Sequence, residues 1–297
     1  MRYYQFLIGD EVHVGVEAAD GTVTDLTSIT GEADSTLSLF KAAHLGGVGI
    51  DDVANGILRR GGGGEMSASE LCAGDGDARL LPPIFAPEVW AFGVTYMDSM
   101  RERQAESGSP DVYALVYNAD RPEAFFKATA ERLVSPGDAV GIRADSEWDV
   151  PEPELAFVLY GGEIVAYTIG NDMSSRSIEG ANPLYLPQAK VYDRSCAIGP
   201  CIATPEVVGD AQKLDVGLQI ERDGEVAFDG SSNTSQMKRD CNYLADWLQR
   251  HNQVPNGTTV CTGTGTIPPP EFTLAEGDVV SISIGGIGTL VNSVVVV

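Results

Sequence analysis

Two glutamates, Glu152 and Glu154, stand two residues apart in the run Asp149-Val150-Pro151-Glu152-Pro153-Glu154-Leu155. In an extended chain that spacing directs both side chains to one face. The interleaved prolines remove backbone donors and stiffen the extended conformation. Two carboxylates aimed together repel unless a cation lies between them. Hard oxygen donors suit Mg²⁺, with Mn²⁺ or Ca²⁺ as alternatives, and Mg²⁺ keeps positions for substrate oxygens. On spacing alone a solvated acidic loop is the stronger reading, because the chain carries 43 acidic residues.

Those acids set the character of the chain. Its 297 residues include only 19 Lys and Arg, for a net charge of −24. Such a surface repels nucleic acid and anionic membranes, so neither is an expected partner. The acids are spread along the chain, which argues against a disordered acidic tail. Spread acidity with few lysines fits a halophilic protein whose self-repulsion is screened by salt. Lysine occurs only as Lys41, Lys127, Lys190, Lys213 and Lys238. In so lysine-poor a chain, those that remain are candidates for a specific role.

Cys72, Cys196, Cys201, Cys241 and Cys261 are scattered, with no C-x-x-C pair to signal zinc or a redox dithiol. They read as small buried apolar residues. No run of about 18 uncharged apolar residues is present, and the opening MRYYQFLIGDEVHVGV reads as a strand and turn and not as a signal peptide. A cytoplasmic protein is expected.

The elements that must position Glu152 and Glu154 are mostly strands. Residues 1–30 alternate apolar and polar around turns at Asp20-Gly21 and Thr30-Gly31, and residues 34–60 are more helical. After the Gly61–Gly64 tract, Pro82-Pro83 opens a new segment, which divides the chain into 1–82 and 83–297. Val89–Val94 reads as a buried strand and Tyr96–Ser107 as a polar helix. Short β-like runs dominate from Leu155 onward, interrupted by an amphipathic helix over about 235–251 that carries Met237, Cys241, Leu244, Trp247 and Leu248. The loop Thr262-Gly263-Thr264-Gly265-Thr266 has neither the third glycine nor the helix of a dinucleotide site. Its N–H groups and hydroxyls are better suited to hold a carboxylate.

The order of the motifs adds a resemblance. Glu152-Pro153-Glu154-Leu155-Ala156, followed by Asn171-Asp172-Met173-Ser174-Ser175-Arg176, resembles the fumarylacetoacetate hydrolase family. Gly93-Val94-Thr95-Tyr96, Phe125-Phe126-Lys127, Gly199-Pro200 and Thr262-Gly263-Thr264 resemble further family segments, and the likeness runs over residues 86–297. It implies a mixed α+β, β-rich fold: a catalytic β-roll domain with peripheral helices, preceded by a small N-terminal α+β domain. It implies Glu152, Glu154 and Asp172 as ligands of a Mg²⁺ ion and a homodimer or homotetramer. It also implies a 2-oxo acid substrate, whose enolate the metal stabilises.

Family hydrolases carry a water-activating histidine after the G-x-x-Y segment. Here Tyr96 is followed by Met97-Asp98-Ser99-Met100-Arg101-Glu102, and His13, His44 and His251 are remote in sequence. Glu102 is left as a substitute or a surface acid. The blocks Arg121–Thr129, Asp145–Trp148 and Asn182–Tyr192 resemble instead the family's sugar-acid dehydratases. These convert a 2-keto-3-deoxypentonate of arabinonate or xylonate type to 2,5-dioxopentanoate. Glu123, beside an apolar Phe pair, is the candidate base, with a helix N-terminal acid after Pro122 as the equal alternative. Lys190 is the candidate to hold a substrate oxygen or protonate the departing hydroxyl. Lys127 is expected to bind the substrate carboxylate or the metal's ligands, Thr264 to clamp the carboxylate, and Arg176 to partner nearby acids. The competing readings are a family hydrolase or decarboxylase acting on an acylpyruvate-like acid, and a binding protein with a decayed site.

Overall fold

The structure, a computed structural model, describes residues 1–106 and 110–297. Its first strands are Arg2–Ile8 and Glu11–Glu17, paired antiparallel. Gly9, with φ of 59°, makes the tight turn between them. They belong to a twelve-stranded sheet. Strand Arg2–Ile8 pairs with Cys196–Ala203, which pairs with Glu163–Asp172, then Pro153–Tyr160, Thr258–Cys261, Val89–Gly93 and Glu123–Ala128. A five-stranded sheet holds Glu225–Asn233, Asp215–Arg222, Val279–Ile284, Gly288–Val296 and Val140–Ile142.

Strand alternation divides the core into two apolar layers. On one face of the large sheet, Ala156, Val158, Ile198 and Ile202 pack against Leu39, Phe40, Ile50 and Ala54. Those four lie on the helices Thr36–Gly46 and Ile50–Leu58. On the other face, Leu155, Phe157, Ile169 and Ala197 pack against Val216, Leu218, Ile282 and Leu290 of the small sheet. The architecture is therefore mixed and β-rich with peripheral helices, as the resemblance implies. The strands before and after residue 82 share one sheet. Buried Gln5 ties them further, donating from Nε2 to the Pro82 carbonyl at 2.7 Å and accepting at Oε1 from the Thr36 amide at 2.9 Å.

Local structure departs from the sequence expectations in three places. The polar helix is Met97–Glu106, and its expected end at Ser107 lies outside the described residues. The C-terminal helix is only Cys241–Gln249. Asp240 caps it by accepting from the Tyr243 amide at 2.8 Å, so Met237 stays extended and bridges to Tyr96. Glu123 begins a strand, Glu123–Ala128, paired with Val89–Gly93. The alternative of a helix N-terminal acid is thereby corrected: Phe125 and Phe126 belong to a strand, with Phe126 opposite Trp90.

Candidate metal centre

Glu152 and Glu154 flank Pro153, the first residue of strand Pro153–Tyr160. Asp172 ends strand Glu163–Asp172, its neighbour in the sheet, and its amide donates to the Glu152 carbonyl at 3.1 Å. Glu154 faces Gly170 across the ladder, so Glu154 and Asp172 lie on the same face. The three carboxylates are buried, and an oxygen from each lies within 4.8 Å of the others. Spacing within one segment joined the two glutamates; antiparallel pairing adds the aspartate.

Among the described residues, four cationic side chains surround them. Lys190 Nζ donates to Glu152 Oε2 at 2.8 Å, Asp172 Oδ2 at 3.0 Å and Ser174 Oγ at 2.6 Å. Lys127 Nζ lies 2.5 Å from Asp172 Oδ1 and donates to the carbonyls of Met173 and Lys190 at 2.9 and 2.5 Å. Arg103 donates to Glu152 Oε1 at 2.8 Å and to Glu179 Oε2 at 2.5 Å. Arg176 Nη2 lies 3.4 Å from Glu152 Oε1. With Glu123 and Glu179, five carboxylates face these four cations.

This imbalance governs the proton affinities. For Glu152, burial opposes ionisation, but Lys190, Arg103 and Arg176 outweigh it and hold the carboxyl well below the usual range. Glu154 goes the other way. Burial pushes it well above the usual range, and the charges of Asp172 and Glu152 push it further, against Lys190 and the Gly263 amide. Lys190 is lowered by burial but held above the ordinary lysine value by Asp172 and Glu152. The cluster is thus short of positive charge at Glu154, and an ammonium already bridges its other two members. An all-oxygen, buried, electron-rich donor set of this kind fits a small divalent cation such as Mg²⁺.

The loop Thr262–Thr266 does hold a carboxylate, but one from the protein. The Gly263 amide donates to Glu154 Oε2 at 2.6 Å. Thr264 Oγ1 donates to the Thr266 carbonyl at 3.0 Å, and Thr264 lines a cavity beside the acids. That cavity, about 20 Å³, has room for about one water. Glu123, Phe125, Arg103, Glu179 and Lys190 share its wall. A larger groove of about 540 Å³, lined by Phe40, His44 and Tyr160 among others, contains none of these residues; convergent charge and not volume marks the site.

Of the residues singled out from sequence, Glu123, Lys190, Glu152, Asp172 and Thr264 line the cavity. Glu154 stands behind them, within ligand distance of Glu152 and Asp172. Lys127 is fully buried below and does not line the cavity. Glu102 does not line it either, nor does any histidine among the described residues. Sequence reasoning passed over Arg103 and Glu179. The available signals were the helical spacing of Arg103 from Ser99 and of Glu179 from Arg176. Burial raises the Glu123 pKa, reinforced by Glu179 and opposed by Arg103 and Lys190.

The sequence and fold resemble those of known proteins. Residues 88–295 match the family described as fumarylacetoacetate (FAA) hydrolase C-terminal. The chain is 49% identical over 299 residues to a probable 2-keto-3-deoxyxylonate dehydratase of Haloferax volcanii, covering 100% of both. It is 45% identical over 224 residues to the 2-dehydro-3-deoxy-D-arabinonate dehydratase of Saccharolobus solfataricus, covering 73% of this chain and 75% of the relative. A solved 2-keto-3-deoxy-D-arabinonate dehydratase complexed with magnesium and 2,5-dioxopentanoate superposes with a TM-score of 0.84 at 34% identity. That match covers 100% of this chain and 99% of the other. With its carboxylates at the strand ends where the sequence pattern puts them, this chain belongs to the fumarylacetoacetate hydrolase family.

Proposed function

We propose that the protein is a Mg²⁺-dependent dehydratase that converts a 2-keto-3-deoxypentonate to 2,5-dioxopentanoate. The observation that carries this is the buried triad of Glu152, Glu154 and Asp172 beside Glu123 and Lys190, in a chain similar throughout to a dehydratase solved with magnesium and that product. The xylonate and arabinonate names of the relatives converge on one compound in the D series. Carbon 2 is oxo and carbon 3 is methylene, so only carbon 4 remains a stereocentre, and D-pentoses share its configuration.

Glu152, Glu154 and Asp172 would hold the ion, which supplies positive charge and polarises the 2-oxo acid oxygens. Glu123 takes a C3 proton. The electron pair left at C3 forms the C3–C4 double bond as the C4–O bond breaks, and the hydroxyl leaves as water with a proton from Lys190. A proton then leaves C5 as one is added at C3, which gives the C4–C5 enol; its hydroxyl proton is lost as C4 gains a proton, and the C5 alcohol becomes the aldehyde. Lys190 also orients the substrate through its fixed place between Glu152, Asp172 and Ser174. Lys127 serves by fixing Asp172 and the Lys190 backbone, and Thr264 contributes to substrate binding from its loop.

Incubation with racemic 2-keto-3-deoxypentonate and Mg²⁺ is expected to yield 2,5-dioxopentanoate from one enantiomer; its absence refutes the reaction. Glu152→Gln is expected to abolish both Mg²⁺ binding by calorimetry and turnover, and unchanged activity would refute the ligand assignment.

The wider setting belongs to the same reading. Adaptation to high salt is supported by the net charge of −24 and the Haloferax relative. A cytoplasmic place is supported by five free cysteines, four of them buried. A homodimer or homotetramer is supported by family membership. A division of the sequence near residue 82 is supported by the start of the family match at residue 88.

A further inference from the structure

Ser99, Arg103 and Glu179 are buried polar side chains of the cavity wall to which the mechanism gives no role. Ser99 and Arg103 are four residues apart in the helix Met97–Glu106, on one stripe. Both are about 6% exposed, whereas Asp98 and Arg101 on the same helix are open to solvent. Arg103 donates from one terminal nitrogen to the metal ligand Glu152 and from the other to Glu179. Because the guanidinium is planar and rigid, its two partners sit side by side. The Glu179 carboxylate therefore lies one guanidinium width from the ligand cluster, on the cavity side.

A 2-oxo acid held at the cluster by its carboxylate and C2 oxygen must extend its remaining carbons away from Glu152. The cavity walls that neither the acidic triad nor the mechanism uses include apolar Phe125 and Leu186, and polar Ser99, Arg103 and Glu179. An ionised carboxylate only accepts hydrogen bonds, and in a buried cavity it gains from every donor it finds. A hydroxyl is such a donor; a methyl group is not. We infer that Glu179, braced by Arg103 and joined by Ser99, is the specificity-determining group that receives a hydroxyl from the C4–C5 end of the substrate. The inference rests on the proposed dehydratase reading and adds to it the means of separating hydroxylated from plain 2-oxo acids.

The test is calorimetry on the Mg²⁺-loaded protein, which needs no turnover, together with kinetics. The ligands are 2-oxopentanoate, which has the same chain and no hydroxyl, and its 4-hydroxy and 5-hydroxy derivatives. Wild type is expected to bind at least one hydroxy acid about tenfold or more tighter than 2-oxopentanoate. Glu179→Ala is expected to erase that preference and to raise KM for 2-keto-3-deoxypentonate about 10–100-fold. Affinity for 2-oxopentanoate and for Mg²⁺ should stay within about threefold. An equal loss for all ligands would make Glu179 only a brace for Arg103 and would overturn the inference. So would a wild type with no preference, a measurement that stands even if the variant does not fold. A wild type that makes no 2,5-dioxopentanoate yet shows the preference would sink the reaction and leave the hydroxyl subsite standing.

Discussion

Glu123 reaches the cavity because the residue opposite it has no side chain. A Cβ at Gly93 would meet Glu123 Oε2 at 2.3 Å. Gly93→Ala is therefore expected to swing the carboxyl aside and cut kcat about 10²-fold, the scale of a misplaced catalytic group, while the melting temperature moves little. If kcat holds, Glu123 is not the base. Burial and Glu179 raise the Glu123 pKa, so the protonated form persists to a higher pH than in an ordinary glutamate. A base must be ionised, so activity is lost as pH falls through that raised value. The acid limb of kcat/KM is expected above the ordinary glutamate value, and a limb at or below that value would detach Glu123 from the rate. Individual residues were readable in sequence to the extent that one segment or one family motif carried them. Alternation put Glu152 and Glu154 on one face, and the ordered family motifs made ligands of them. Arg103 and Glu179 come from distant segments and meet only through the fold, so their helical spacing from Ser99 and Arg176 does not by itself bring them to the acids.

The elements were legible where their period is long and their ends are marked. The first hairpin, the helices within 34–60 and the paired strands around the acids are all present. The C-terminal helix was overread because Met237 falls on its apolar stripe, while Asp240 supplies a cap that starts the helix later. The strand from Glu123 was ambiguous because Pro before an acid also begins helices; its pairing with Val89–Gly93 decides it. Among loops, Thr262–Thr266 has the strictest demands. Gly263 has φ of 92°, and a Cβ there would meet Thr95 Oγ1 at 2.0 Å and the Phe92 carbonyl at 2.9 Å. Gly263→Ala is expected to cost about 1–3 kcal/mol from backbone strain alone and to weaken Mg²⁺ binding by shifting the amide that holds Glu154. A melting curve and Mg²⁺ titration indistinguishable from wild type would disprove this role.

At the scale of the molecule, charge and topology act together. A net charge of −24 on one chain makes the folded state repel itself, and salt shortens the reach of that repulsion from about 10 Å at 0.1 M to about 3 Å at 1 M. The melting temperature is expected to rise by several degrees or more between 0.1 and 2 M KCl, whereas a flat or falling curve would rule out adaptation to salt. Composition made this charge visible from the start. Invisible in composition was the way the large sheet disregards the boundary near residue 82, since strand pairing across nearly two hundred residues leaves no local mark. That pairing has a consequence for how the protein is made. Strand Arg2–Ile8 pairs on one side with the following strand; its other side is taken by Ala78–Leu80 along Phe6–Ile8 and by Cys196–Ala203 at Arg2 and Tyr3. At about 5–20 residues per second, the ribosome delivers that last partner on the order of 10–40 s after the first strand emerges. During that interval the start of the nascent hairpin keeps an open stretch of sheet edge, the kind of surface on which neighbouring chains on a polysome join wrongly.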